Sequence, residues 1–144
     1  MFSYVSRGTR DLSRAMRFYD AILTPLGHQR VEDYHPEDRS AAWGLDDPGP
    51  HLWVTEPFDG LPATVGNGTM VSFLAPDRAA VDVFHAAALA HGGSDEGAPA
   101  FRPQYGPQFY AAYVRDPDGN KLNAVCYSAA TDTPLNPGTD HAPV

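Results

Sequence analysis

Apolar and polar positions alternate along this chain in two different periods, and each period recurs. From Asp11 to Leu23 apolar residues fall at 12, 15, 16, 19, 22 and 23, the spacing that gives a helix one apolar face. Asp11 stands where an N-cap is wanted, and Pro25 and Gly27 follow as stop signals. The stretch from Asp77 to Leu89 repeats the design: Asp77 caps, Val81, Phe84, Ala88 and Leu89 form the stripe, and Gly92-Gly93 ends it. The offset is constant. Adding 66 carries Asp11 to Asp77, Phe18 to Phe84, Leu23 to Leu89, Gly27 to Gly93, and Tyr4-Val5-Ser6 onto Met70-Val71-Ser72.

Each helix is therefore preceded by a strand in the same register. After the first helix the residues 28–34, 40–45 and 51–55 read as short strands, separated by Pro-Glu-Asp and Asp-Asp-Pro-Gly-Pro turn chemistry. After the second come a Gly/Pro-rich stretch at 97–106, a strand at 109–114, the turn Asp116-Pro117-Asp118-Gly119, and a strand at 121–127. The expected fold class is α+β, two tandem βαβββ modules at 1–56 and 68–128 joined by a linker at 57–67. Residues 129–144 lack periodicity and are expected to form an extended or disordered tail.

Composition narrows the function. A length of 144 residues with 42% hydrophobic positions suits one globular unit. A net charge of -8, with only ten scattered Lys and Arg, argues against nucleic acid and favours cationic or neutral ligands. Cys126 is the only cysteine, so no intramolecular disulfide can form; alternation turns it toward the helices as a buried thiol. The N-terminus has no signal-peptide pattern, and no apolar run approaches the roughly 20 residues that span a bilayer. The expectation is a soluble, cytoplasmic protein with no membrane partner.

The Phe-Tyr-Asp-Ala-Ile-Leu helix, the Pro-Leu-Gly that follows it and the Arg-Asp-Pro-Asp-Gly-Asn-Lys-Leu turn resemble the vicinal-oxygen-chelate superfamily over residues 1–128. That superfamily includes glyoxalase I, extradiol dioxygenases, fosfomycin-resistance enzymes and bleomycin-binding proteins. The resemblance implies curled mixed sheets around an open cup, a homodimer, and a divalent ion held by first-strand and last-strand residues. Those positions are Tyr4, Met70 and Asn123 here, and the strand His51–Thr55 has no carboxylate at its middle. A phenol, a thioether and a carboxamide are weak ligands for Zn, Fe, Ni or Mn. No cofactor is therefore expected, the alternative being a shifted metal or acid-base site at His51 with Glu56.

Alternation places Tyr4, Trp53, Met70, Tyr113 and Asn123 toward the cup, an apolar surface with polar handles that suits a small molecule. The loop from Arg102 to Gln108, with Tyr105, lies where this superfamily borders its ligand. His85 and His91 read as a solvated helix face. Three functions follow: a metal-free binder of a small aromatic or cationic molecule, resembling the bleomycin-resistance branch; a metal-dependent lyase or dioxygenase with the shifted site; and a dimerisation or regulatory module with a filled cup.

Overall fold

The computed structural model describes residues 1–31, 36–44 and 49–128. In the first module β1 (Tyr4–Gly8) leads to α1 (Leu12–Leu23), β2 (Gln29–Arg30), β3 (Ser40–Gly44) and β4 (His51–Thr55). In the second, β5 (Val71–Leu74) leads to α2 (Arg78–Ala90), β6 (Ser94–Phe101), β7 (Tyr110–Arg115) and β8 (Lys121–Cys126). The strands form two four-stranded sheets, ordered β1-β4-β3-β2 and β5-β8-β7-β6. In each sheet the first strand runs parallel to the last, and every other pairing is antiparallel. The fold is α+β with a repeated βαβββ unit, as the 66-residue offset requires.

Both helices begin on the same device. The Asp11 carboxylate accepts from the Arg14 backbone N–H at 2.9 Å, and Asp77 accepts from Ala80 at 2.7 Å. Each such cap contributes about 1 kcal/mol. Pro25 does not end α1 abruptly: the chain continues through a 3-10 turn, Thr24–Leu26, and stops at Gly27, whose φ of 88° favours glycine. The buried stripe of α1 includes Phe18, and that of α2 is Ala80, Val81, Phe84 and Ala88. Leu89, expected in that stripe, is 44% exposed. One position beyond Ala88 turns the helix by about 100°, off the core face.

The second module holds a strand that its composition disguises. The Gly/Pro-rich stretch overlaps β6, which carries Pro99 and shifts register on either side of Gly97. An edge strand tolerates both, because one side of its ladder needs no partner. In the first module the expected strand at 28–34 is realised only as Gln29–Arg30, and its residues 32–34 lie outside the described residues. Leu45, the 46–48 part of the following turn and the expected tail also lie outside them. Pro36–Asp38 form a 3-10 turn.

One core fills the space between the helices and the near faces of both sheets. Phe18, Tyr19, Trp43, Val54, Val81, Phe84, Val114 and Leu122 are all fully buried in it, with Cys126. Trp43 meets its polar requirement by donating Nε1–H to Asp20 at 2.9 Å. Among the described residues, no helix is long and apolar enough to cross a membrane.

The modules are joined by the turn between β7 and β8. The buried Asp116 carboxylate accepts from the Tyr19 hydroxyl at 2.7 Å, from the Asp118 and Asn120 backbone N–H groups at 3.0 and 2.8 Å, and from the Asn120 side chain at 2.8 Å. Asn120 also donates to the Gly8 carbonyl at 3.0 Å. Asp118 accepts from the Thr9 hydroxyl at 2.6 Å, the Arg10 backbone at 2.8 Å and the Arg14 guanidinium at 3.0 Å. One turn of the second module thus holds the β1–α1 junction of the first.

This predicts that Asp116→Ala, which strands several buried donors, lowers stability by about 3 kcal/mol or more, and Tyr19→Phe by about 1–2 kcal/mol. Burial, then the charge of Asp116 and the hydrogen bond to it, pushes the Tyr19 phenol well above its ordinary value. The unfolded chain ionises that phenol near pH 10 while the folded one keeps it neutral, so its stabilising effect is complete below about pH 10 and fades above. Urea unfolding between about pH 9 and 11 should show a decline that is smaller in Tyr19→Phe.

Candidate functional site

The core claims one face of each sheet, and the period of two decides what the far face presents. In the first sheet the register pairs Tyr4 with His51, Ser6 with Trp53 and Gly8 with Thr55, and sets Ser40 opposite Thr55. Leu52, Val54, Ala41 and Trp43 face the core. Tyr4 and Trp53 are therefore neighbours on the far face, where with Ser6, Ser40 and Thr55 they line an open depression of about 390 Å³. Both rings are accessible, Tyr4 at 61% and Trp53 at 36%.

In the second sheet a single row crosses four strands: Ser72 on β5, Asn123 on β8, Tyr113 on β7 and Gly97 on β6. Leu122, Ala124, Ala112 and Val114 lie on the core face. Asn123 is only 2% exposed, and its Oδ1 has no hydrogen-bond partner. A buried acceptor left unpaired costs about 1–3 kcal/mol.

Two cations flank Tyr113. The Arg102 guanidinium carbon stands 5.6 Å from the ring centroid and the Lys121 Nζ 5.8 Å. Arg102 is steadied by donating to the Ala98 carbonyl at 2.9 Å. Gly97 makes room for it, since a Cβ there would lie 3.0 Å from Arg102 Nη2 and 3.3 Å from Tyr113. Arg115, on the same face, is neutralised by Glu96 at 2.6 Å; among the described residues, neither Arg102 nor Lys121 forms an ion pair.

The structure brings Tyr4 together with Trp53, and Tyr113 together with Asn123. Met70 precedes β5 and lines a hollow with Arg115 and Lys121. Tyr105 stands apart, on a 3-10 turn where its ring packs 5.3 Å from Phe109, which in turn contacts Tyr127 at 5.4 Å. Phe109 is four positions from Tyr113, about 13 Å at the rise of a strand. Tyr4 and Ser72 both line an apolar cavity of about 270 Å³ between the edge strands β1 and β5, with His28, His51, Val5 and Phe73. Burial lowers the pKa of His28 there, and its Nδ1 is buried without a partner. His85, expected on a solvated face, is instead held by Asp95 at 2.8 Å.

His51 and Glu56 do not share a site. His51 lines the cavity beside β1, whereas Glu56 pairs with Arg39 beyond the other end of β4. Five positions along an extended chain separate them by about 16 Å. Among the described residues, no three of His, Cys, Asp and Glu are grouped to hold a metal ion. The residues at the positions where the resemblance implies a metal do not fit one either: Tyr4, Met70 and Asn123 offer no imidazole or carboxylate, and Lys121 alternates with Asn123 on the same face.

The sequence signal for the cation pair was small. Lys121 is the chain's one lysine, and its two-residue spacing from Asn123 places it on that face. Arg102 lies outside any strand, so alternation says nothing of its direction.

A profile of the Glyoxalase/Bleomycin resistance protein/Dioxygenase superfamily matches residues 2–124. The chain is 39% identical to a glyoxalase/bleomycin resistance protein from Albidiferax ferrireducens T118, over 88% of this chain and 98% of that one, with a TM-score of 0.76. It shares its fold with a glyoxalase-related enzyme from Fulvimarina pelagi, at 19% identity over 88% of this chain and 87% of that one, TM-score 0.66. A glyoxalase I variant from Zea mays is 22% identical over 86% of this chain and 45% of that one, TM-score 0.58. No curated protein matches. With the repeated βαβββ modules and the match across nearly all of their length, the chain belongs to the glyoxalase/bleomycin resistance protein/dioxygenase superfamily.

Proposed function

We propose that this chain is a metal-independent binding protein of its superfamily, holding a small aromatic molecule on the far face of the second sheet. The observation that carries this reading is Asn123, buried in the row between Ser72 and Tyr113 with its Oδ1 unpaired. An apolar side chain of similar size would avoid that cost, so an amide here suits a ligand that arrives with an N–H or O–H donor. Tyr113 offers a ring beside it, and Tyr4 with Trp53 offers a second aromatic surface on the first sheet. The aromatic half of the expectation drawn from the sequence finds support in these rings. The cationic half finds none at Tyr113, whose charged neighbours are Arg102 and Lys121.

Removing the unpaired acceptor is expected to help the fold and harm the function. Asn123→Leu should raise the free energy of urea unfolding by about 1 kcal/mol. In chelator-treated protein, benzyl alcohol should shift the amide NMR signals of Ser72, Tyr113 and Asn123, and the variant should lose the response. Calorimetric titration of the same protein with Ni(II), Zn(II) and Mn(II) should show no stoichiometric binding. One ion per chain, lost on Asn123→Ala, would overturn the metal-independent reading in favour of a metal-dependent lyase or dioxygenase.

A further inference from the structure

We infer that the ligand of this far face is an anion, an aromatic carboxylate whose acidic group pairs with Arg102 and Lys121 beside Tyr113. The inference rests on the binding role just proposed and adds the charge of what is bound. Two half-buried cations stand within 6 Å of one ring, and neither has a carboxylate partner among the described residues. The third cation on this face, Arg115, is already matched by Glu96, so the unmet charge is confined to Arg102 and Lys121. The Tyr113 ring beside them gives the aromatic part of the ligand a surface to pack on. Gly97 leaves the space in which the guanidinium lies against Tyr113.

The net charge of -8 points the other way, but it acts from a distance. Salt at physiological strength screens charges beyond about 8 Å, whereas a carboxylate docked at Lys121 meets its ammonium directly. The neighbouring charges therefore decide the sign of the ligand. An aromatic cation placed over Tyr113 would meet two like charges at close range.

The chain's one lysine makes the test direct, because 13C-labelled lysine gives a single ε-methylene NMR signal. Benzoate, benzyl alcohol, benzylammonium and acetate would be titrated into the full chain while that signal and the amides of Ser72, Tyr113 and Asn123 are followed. Benzoate should move all four signals and bind about tenfold or more tightly than each of the other three. Lys121→Met and Arg102→Met should each weaken benzoate by a similar factor. Arg30→Met, which removes the same unit of charge from the Asp20 pair, should leave benzoate binding unchanged and so controls for long-range charge. Benzylammonium or benzyl alcohol binding as tightly as benzoate would overturn the anionic assignment and leave the binding role standing. Acetate matching benzoate would overturn the aromatic part. If none of the four compounds moved the Ser72, Tyr113 and Asn123 amides, the binding role itself would fall.

Discussion

The carboxylate of Asp116 is the point on which the two halves of this protein are aligned. It is buried, and it accepts from Tyr19 in the first module while holding the Asp118 and Asn120 backbones of its own turn. Asn120 is then fixed against Gly8 at the end of β1, and β8 begins at the next residue. The starting point of β8 decides which of its residues face the core. A slip of one position would turn Lys121 and Asn123 inward and Leu122 outward. The polar turn thus fixes the register on which the candidate site depends, and the apolar core, which has no direction of its own, fills in behind it.

The Asp-Pro-Asp-Gly-Asn turn illustrates how much local sequence can say. Asp116 and Asp118 bind different partners, one inside its turn and onto α1, the other onto the residues that lead into α1. Gly119 supplies the left-handed backbone that follows them and leads into Asn120, at a φ of 95°. Helix caps, the 66-residue repeat and the faces of β1, β4, β7 and β8 were equally readable, because each depends on a period or a spacing of a few residues. The strand β6 was not, since its glycine and proline signal a loop and only its edge position makes a strand tolerable. The pairing of His51 with Glu56 failed for a related reason. Closeness in sequence means contact on a helix, whereas along a strand it means separation.

The two modules share a scaffold and differ where the scaffold permits. Near faces are held to apolar residues by a common core, with Leu52 and Val54 in one sheet answered by Leu122 and Ala124 in the other. Far faces lie outside that core, although Ala42, Ala111 and Val125 on them are buried as well. The first displays Tyr4, Trp53 and hydroxyls; the second displays Tyr113, Asn123 and two cations. Trp43 and Trp53 show the division at its sharpest. The first is sealed in the core with Asp20 as its partner, and the second is exposed, although both are mid-strand tryptophans in adjacent strands of one sheet.

Charge is where reading the whole chain and reading the site diverge most. A count over 144 residues averages eighteen acidic side chains against ten basic ones and yields a protein that attracts cations. Geometry weights each charge by its distance. A carboxylate about 4 Å from one ammonium gains about 4 kcal/mol at an effective dielectric of 20, before desolvation is charged against it. The same carboxylate facing a diffuse surplus of negative charge about 15 Å away, in water and salt, loses only a few tenths of a kcal/mol. Desolvation is lessened here because Arg102 and Lys121 are already partly withdrawn from water beside Tyr113. Two basic residues on one face can therefore outweigh the surplus of the whole surface, provided the fold sets both beside the same ring.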